Sequence, residues 1–589
     1  MNSSQAPVTY VNYIYSTIEK EFCSNSTDSL YYQYFNSITQ NNTESLQSLE
    51  IKLIEKIIDY LEEIEVQYEI IIKQNLAKNE DPLLNITNYG PSSNLTKLIG
   101  SLIIIGLLTN YSSFDTFISI KERLNFNWFE LDGINIDTLL QTHYQNNHTP
   151  NTENFLKIIN SLTSYLISTS DKTLKLQSSL TPIGLTIQNF YLTDLILAYQ
   201  QLLNGPCKAG GLDYYLDLNQ RKNLAIKWEV LSNGFSSYSL LESLFLLLTP
   251  SSDRNPPNWL QKSISNQLTQ LLLKPQGVKN ILDYFCHGVD KIDLGFRDLE
   301  SLLLLFCNLP RGVKSEETYL NIIYPQLILL ATLSQQSINS NEDSNSNNQL
   351  SDKLSLIINL SNYLIVNLME KFPILVKNPK FVSLIMDPLI IWLKNYQVDN
   401  SNLDRDLVIC DMPKFDTWLK LIDGILITNY SDCNTRFFIL NNFLPPLLHL
   451  INCAKIQKSL ELAEKIESIV INYFELLNID NFYIKLEDLL TKWWGVINCS
   501  MGNKLKFVIN IEDRIILKRY YDNGDKVTNN NANSSQIPID TLLNIIKSSR
   551  PQSELNLIQD KLTKFKIEEN NNKNSISQLE LNELLDKFD

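Results

Sequence analysis

The sequence predicts an all-α fold, an armadillo/HEAT-like α-solenoid of stacked antiparallel helix pairs. Three observations lead to this prediction. Glycine and proline are scarce, with 17 and 20 among 589 residues, which favours long helices over short strands and tight turns. Apolar residues recur at three- and four-residue spacing in successive segments. Short connections join those segments, so each helix pair is expected to pack between its neighbours. An irregular all-α globule is the alternative, because no repeat period is visible.

The clearest helix is predicted between Ile51 and Ile72, where isoleucine, leucine and tyrosine side chains form one apolar face. A polar loop is expected between Ser251 and Pro257, after a helix that stops at Thr249-Pro250. The same spacing predicts further helices over 95–108, 155–167, 190–203, 240–248, 259–273, 278–286, 298–309 and 315–333.

Composition shifts divide the chain into four regions. An N-terminal helical-repeat region is predicted over 1–337, and a disordered Asn/Ser-rich loop over 338–349, because that segment has little to bury. A second helical-repeat region is predicted over 350–527, including two short strands near Phe507–Ile511 and Ile515–Leu517. A linker and short helices complete the chain over 528–589, with helical pieces expected at 539–547, 553–567 and 576–588.

Charge and hydropathy restrict the classes of partner. The chain has 50 Lys+Arg against 65 Asp+Glu, a net charge of −15, so a general basic surface for nucleic acid is not expected. The N-terminus shows no secretory signal, and we expect a cytoplasmic protein. The apolar run Leu98–Leu108 falls short of the roughly 20 residues that span a bilayer, which predicts a buried helix. A membrane-associated helical protein that uses this run as an anchor is an alternative.

No catalytic constellation is visible in the sequence. Phosphate-binding loops, dinucleotide fingerprints, zinc-protease motifs and nucleophile elbows are all missing, and the eight cysteines form no Cys-x-x-Cys pair. The prediction is therefore a protein that is not an enzyme, with no catalytic, cofactor-binding or metal-binding residues and no cofactor. The alternative is an enzyme whose site unites residues distant in sequence, with Cys207, Cys286, His287 and His449 as first suspects.

Two matching turns interrupt the most informative stretch, Trp259 to Leu330. They are Lys274-Pro275-Gln276-Gly277-Val278 and Leu309-Pro310-Arg311-Gly312-Val313, and the second is followed by Ile323-Tyr324-Pro325-Gln326-Leu327. Over roughly 70 residues this pattern resembles the transport and Golgi organisation protein six family, which includes the fungal protein required for nuclear transport of RNA polymerase II. Family members are usually much longer than this chain, with further helical segments near the C-terminus.

The resemblance implies a large armadillo/HEAT-like scaffold without catalysis. It also implies protein partners, namely RNA polymerase II subunits, transport receptors or secretory-pathway factors, with no direct contact to nucleic acid. The implied roles are secretion and Golgi organisation, or assembly and nuclear import of RNA polymerase II. The implied location is the cytoplasm with passage into the nucleus. No site residue is carried over, because the family has no catalytic motif.

Overall fold

The computed structural model confirms the all-α class: the described part is 86% helical, in 21 α-helices with almost no strands. The chain divides into two compact units, Met1–Lys274 (the N-terminal unit) and Pro275–Asp589 (the C-terminal unit), a division that falls within the predicted region 1–337. The structure describes residues 13–14, 16–17, 33–34, 43–77, 93–119, 136–145, 151–170, 173–176, 181–205, 216–250, 254–286, 296–310, 313–333, 344–385, 407–427, 440, 444–456, 458–491, 504–509, 514–520, 539–572 and 577–588.

Nine of these helices belong to the N-terminal unit, as far as it is described. Several begin at a side-chain cap, such as Asn151, whose side chain accepts the amide N–H of Asn154, and Asp217, which forms a capping box with Gln220. The helices are α1 (Thr43–Ala77), α2 (Ser93–Leu102), α3 (Ile136–Gln145), α4 (Thr152–Ser164), α5 (Pro182–Phe190), α6 (Leu192–Asn204), α7 (Leu218–Gly234), α8 (Ser237–Leu248) and α9 (Asn258–Leu272).

Helix α6 is the centre of this unit. It contacts α4, α5, α7, α8 and α9, and almost every one of its residues is buried. A short antiparallel hairpin, β1 (Ile167–Ser170) and β2 (Thr173–Leu176), follows α4 and contacts α7. The prediction extended the preceding helix to residue 167, but the helix ends at Ser164, and Ile167 and Ser168 begin the hairpin instead.

The apolar run Leu98–Leu108 is a buried helical segment, as predicted. Helix α2 continues into a π-helix over Ile103–Leu107 and a 3₁₀ turn over Leu108–Asn110, and these residues are buried throughout. Within the described ranges, no helix combines the length and the apolarity that crossing a membrane requires.

Asn110 ends this segment and connects three parts of the N-terminal unit. Its Nδ2 donates to the Glu50 carboxylate at 3.1 Å and to the Gly106 carbonyl at 3.0 Å, and its Oδ1 accepts the Asn151 N–H at 2.7 Å. Burial raises the pKa of Glu50, and the hydrogen bond from Asn110 opposes that rise. The hydrogen bond from the Asn110 amide therefore replaces part of the hydration that the Glu50 carboxyl group loses on burial.

Arg254 lies inside the predicted polar loop Ser251–Pro257, yet only 5% of it is exposed. Its guanidinium donates to four backbone carbonyls, those of Asp115 and Thr116 at 3.2 Å each, of Leu246 at 3.5 Å and of Leu247 at 2.9 Å. The last two carbonyls belong to the final turn of α8, which has no helical donors for them. A cation at this position also complements the negative end of the helix dipole.

The C-terminal unit contains the other twelve described α-helices. Residues 379–385 are helical as well, after a break at Asn378. The helices are α10 (Gly277–Phe285), α11 (Phe296–Cys307), α12 (Glu316–Ala331), α13 (Ser344–Lys371), α14 (Ile374–Lys377), α15 (Met412–Ile427), α16 (Leu444–Ile456), α17 (Leu460–Leu476), α18 (Ile479–Thr491), α19 (Ile539–Ser549), α20 (Gln552–Asn572) and α21 (Ser577–Phe588).

Alternate helices of this unit contact one another in succession. Helices α11, α13, α15, α17, α19 and α21 form what we term the helix row, in which each member contacts the next. Three of the five described intervening helices pack on the row member that follows them: α12 on α13, α16 on α17, and α20 on α21. Helix α14 contacts the preceding member, α13, and α18 contacts α20 and α21.

Helix α13 begins inside the predicted loop 338–349. The loop was inferred from the polar composition of the segment, but residues 344–349 are the first turns of the helix, and 338–343 lie outside the described residues. Once the amphipathic part of α13 is formed, each further residue adds a hydrogen bond at little extra cost, so even a polar segment extends the helix.

A three-stranded antiparallel sheet accompanies the helices of the C-terminal unit. Its strands are β3 (Leu407–Asp411), β4 (Lys504–Ile509) and β5 (Arg514–Tyr520), in the order β3-β5-β4. The two strands predicted near residues 507–511 and 515–517 are confirmed as β4 and β5, with Phe507 opposite Leu517. Strand β3 was not predicted.

Arg550, directly after α19, connects the ends of three helices. It donates to the carbonyls of Phe474 and Leu477 at the end of α17 and pairs with Glu554 of α20 at 3.0 Å. Its guanidinium carbon lies 4.7 Å from the ring centroid of Phe482 in α18, within the range of a cation–π interaction.

Candidate functional site

An open groove runs between α7 and α9 in the N-terminal unit. Its volume is about 380 Å³, within the range of small ligand sites. Helix α8 contributes one residue, and the remaining positions lie in the C-terminal halves of α7 and α9 and directly after α9. The lining consists of Trp228, Glu229, Ser232, Asn233, Leu240, Gln267, Gln270, Leu271 and Lys274.

The groove has an apolar floor and a polar rim. Trp228, Leu240 and Leu271 are buried, with 6%, 2% and 8% of each residue exposed, so they form the floor. The polar lining residues are half-buried or exposed, and they form the rim. A narrow apolar strip between hydrogen-bonding side chains is the usual composition of a surface that binds a ligand with both kinds of group.

The indole of Trp228 packs against α6 on the side that faces away from the groove. Its ring lies 5.5 Å from the ring of Tyr199 at 36°, and the Tyr199 hydroxyl shares a 2.8 Å hydrogen bond with that of Thr163. Burial raises the pKa of Tyr199 far above its ordinary value, so this phenol stays protonated. The floor of the groove is therefore supported by a second layer of packed and hydrogen-bonded side chains.

A partly buried polar network fixes α9 against α6 close to the groove. The Asn204 amide donates to Gln200 Oε1 at 2.8 Å and to the Ser263 hydroxyl at 2.9 Å, and that hydroxyl donates to Gln200 Oε1. Ser263 lies one helical turn before Gln267 on the same face of α9. The network thus fixes the position of α9, the helix that carries the two glutamines of the rim.

Lys274 and Asn233 close one end of the rim. The Lys274 ammonium donates to Asn233 Oδ1 at 2.8 Å, and partial burial lowers the Lys274 pKa. By contrast, in the part of the chain that the structure describes, the side-chain amides of Gln267 and Gln270 make no hydrogen bond and the Glu229 carboxylate makes no ion pair.

Of the four residues suspected of catalysis, Cys286 is the one whose side chain the structure describes. Cys286 ends α10 and is 5% exposed, and burial raises its thiol pKa to about 11, which disfavours the reactive thiolate. His449 lies within α16, far along the chain, while Cys207 and His287 lie outside the described residues. No group of three or more His, Cys, Asp or Glu residues among those described is placed to hold a metal ion.

The motifs behind the family resemblance have structural roles within the C-terminal unit. The backbone N–H of Val278, at the start of α10, donates to Gln326 Oε1 of α12 at 3.3 Å, so the Pro-Gln-Gly-Val turn contacts the Pro-Gln-Leu motif. Tyr319 is buried, and its hydroxyl donates to the carbonyl of Phe306 at the end of α11. Comparisons with protein-family models, curated proteins and solved structures find no match to this chain.

The sequence does not predict the groove. Lys274 belongs to a predicted turn, and the glutamines of α9 form no recognisable motif. A helical projection gives a partial signal, because Gln267, Gln270, Leu271 and Lys274 share one face at spacings of three and four. It cannot show that α7 leaves this face open, since that depends on contacts between residues about 40 positions apart.

Proposed function

We propose that this chain is a non-catalytic helical-repeat scaffold that binds protein partners. The observation that carries the proposal is the helix row of the C-terminal unit, with its members contacting in succession. Such contacts are expected of an armadillo/HEAT-like solenoid of antiparallel helix pairs. Stacked pairs expose a long continuous surface, which suits recognition of macromolecules better than the enclosure of a small substrate.

The partners that we propose are RNA polymerase II subunits, transport receptors or secretory-pathway factors. This part rests on the sequence resemblance over Trp259–Leu330. The contact between Val278 and Gln326 supports it, because two segments of the resembling pattern meet in the fold. In this proposal the chain works in the cytoplasm and enters the nucleus with its cargo.

The test is reconstitution with purified proteins. The full-length chain is mixed with RNA polymerase II subunits, with a nuclear transport receptor or with secretory coat components, and each mixture is analysed by size-exclusion chromatography with light scattering. A stoichiometric complex with one set is expected, together with cross-links that extend over more than one helix pair.

The control is an unrelated protein with a similar net negative charge, because charge alone causes non-specific association. A chain that elutes alone in every mixture would refute the scaffold proposal. A complex with secretory components and none with the polymerase would assign the role to secretion.

A further inference from the structure

The rim of the groove presents hydrogen-bonding groups that the described part of the protein does not use. Gln267 and Gln270 carry both donors and acceptors, and neither amide is engaged by another described residue. A polypeptide backbone needs this combination, since it offers alternating N–H and C=O groups. A phosphate or carboxylate ligand would require donors alone.

The spacing of these groups matches an extended chain. Helix α9 rises about 1.5 Å per residue, so its lining positions from Gln267 to Leu271 span about 6 Å. An extended segment advances about 3.3 Å per residue, so about two residues cover this distance. Side chains of an extended segment alternate in direction, so one of them faces the apolar floor at Trp228 while its neighbours face the rim.

The charged groups of the rim indicate which type of residue lies next to the apolar residue in a bound segment. The groove has one basic group, the Lys274 ammonium, which is already hydrogen-bonded to Asn233. Its one acidic group, Glu229, is exposed and makes no ion pair with a described residue. Asn233 is neutral, so Lys274 keeps its charge and the rim carries one charge of each sign. The Glu229 carboxylate can pair with a basic group of a ligand, and the net charge of −15 adds long-range attraction for such a group.

We propose that the groove between α7 and α9 binds an extended polypeptide segment with an apolar residue next to a lysine or arginine. The apolar side chain lies on Trp228, the basic side chain pairs with Glu229, and the glutamines of α9 bond to the segment's backbone. The inference rests on the proposed scaffold function and specifies the chemistry of one partner segment.

The experiment uses phage-displayed random octapeptides selected on the immobilised full-length chain. Enriched peptides are synthesised with a fluorescent label, and their affinities are measured by fluorescence anisotropy. We expect a consensus of one apolar residue beside one basic residue. Binding to a Gln267→Ala/Gln270→Ala chain should be about tenfold weaker or more, because two backbone hydrogen bonds are lost. Glu229→Gln should weaken binding about threefold, and the effect should fade with added salt.

The matched control is Asn266→Ala, which removes an exposed amide of α9 outside the groove and should leave affinity within about twofold. Unchanged melting curves show that the variants are folded. Failure to enrich a consensus, a consensus of acidic peptides, or equal binding to the double variant would each overturn the inference. If a reconstituted protein complex survives Gln267→Ala/Gln270→Ala unchanged, the groove inference falls while the scaffold proposal stands.

Discussion

The two units differ in how they accommodate polar groups in their interiors. The N-terminal unit buries whole charged residues, namely Glu50, Asp137, Asp194 and Arg254. Among the described residues of the C-terminal unit, those that are fully buried are apolar or neutral, and Arg550 is the nearest counterpart, with its side chain 7% exposed. The N-terminal interior therefore depends on specific hydrogen bonds, and the C-terminal interior depends mainly on apolar packing.

The two arginines show what this difference implies. Both donate to carbonyls at the end of a helix: that helix is α8, directly before Arg254 in sequence, for one arginine, and α17, more than 70 residues earlier, for Arg550. Arg254 serves four carbonyls in the core, whereas Arg550 serves two and also pairs with the half-buried Glu554. Because a buried group that loses its partner regains little hydration, the same substitution should cost more at Arg254.

The largest expected effect is that of Arg254→Met. The methionine fills much of the volume but leaves four carbonyl oxygens without the guanidinium, so the free energy of unfolding should fall by about 3–5 kcal/mol. Urea denaturation of the full chain, followed by circular dichroism, measures the change.

Arg550→Met is the matched comparison for this experiment and should cost about 2 kcal/mol, since water can reach its half-buried partner Glu554. Equal losses at the two arginines would contradict the proposed contrast between the interiors.

A second pair of substitutions compares two buried asparagines. Asn110→Leu removes an amide whose donors and acceptor are all used, leaving Glu50 and the Asn151 N–H without it, and should destabilise the chain by about 3 kcal/mol. Asn362 of α13 is 3% exposed, and its Oδ1 accepts no hydrogen bond from a described residue. Asn362→Leu should therefore lie within about 1 kcal/mol of the parent chain.

Urea denaturation measures the free energy of unfolding of both asparagine variants. A leucine at position 362 that costs as much as the leucine at position 110 would show that the C-terminal interior also depends on a specific polar contact.

Glu65 of α1 provides a pH-dependent test of the N-terminal unit. Burial raises its pKa from 4.5 to about 7, the charge of Glu69 adds to the rise, and a hydrogen bond from Thr181 opposes it. The folded chain then binds this proton more tightly than the unfolded chain does. The associated stability is fully present below pH 4.5 and is lost as the pH rises to about 7.

Glu65→Gln removes this titration, so at pH 8 the variant should be more stable than the parent by about 2 kcal/mol, with no advantage at pH 4. Urea denaturation at the two pH values measures the difference. Glu62→Gln, at an exposed position of the same helix, is the control and should change little at either pH. An advantage of Glu65→Gln that is equal at both pH values would contradict the raised pKa.

The smallest expected effect concerns the backbone at the start of the C-terminal unit. Gln276 precedes α10 in the left-handed conformation, with φ of 64°, which a side chain disfavours. Gln276→Gly should stabilise the chain by about 0.5–1 kcal/mol, because glycine adopts this conformation without steric cost. Thermal denaturation measures the gain, and Gln276→Ala is the control that should show none.

The sequence predicted the helices well where one apolar face was enough to define them. The predicted helix 259–273 is α9 at Asn258–Leu272, and the predicted pieces at 539–547 and 576–588 are α19 and α21, each displaced by one or two residues at an end. In such segments the spacing of apolar residues and the position of proline or glycine carry most of the structural information.

The interior polar groups and the candidate site were not predictable in the same way. Arg254 lies in a stretch of serine, asparagine and proline that has the composition of an exposed loop, yet it is buried and donates to two carbonyls from about 140 residues earlier. Gln200 and Gln201 are completely buried in α6 for the same reason, because neighbours from other helices decide their environment. The groove likewise depends on the distance between α7 and α9, which local patterns do not encode.

The succession of contacts along the helix row has a consequence for cooperativity. When each element is stabilised chiefly by its immediate neighbours, energetic coupling decays with the number of intervening elements, as in a one-dimensional lattice. A helix in the middle of the row, such as α17, has a neighbour on both sides, whereas α21 has one described row neighbour. Amide hydrogen exchange should accordingly be slowest near α17 and become faster towards α21, a gradient that a uniformly cooperative core would not show.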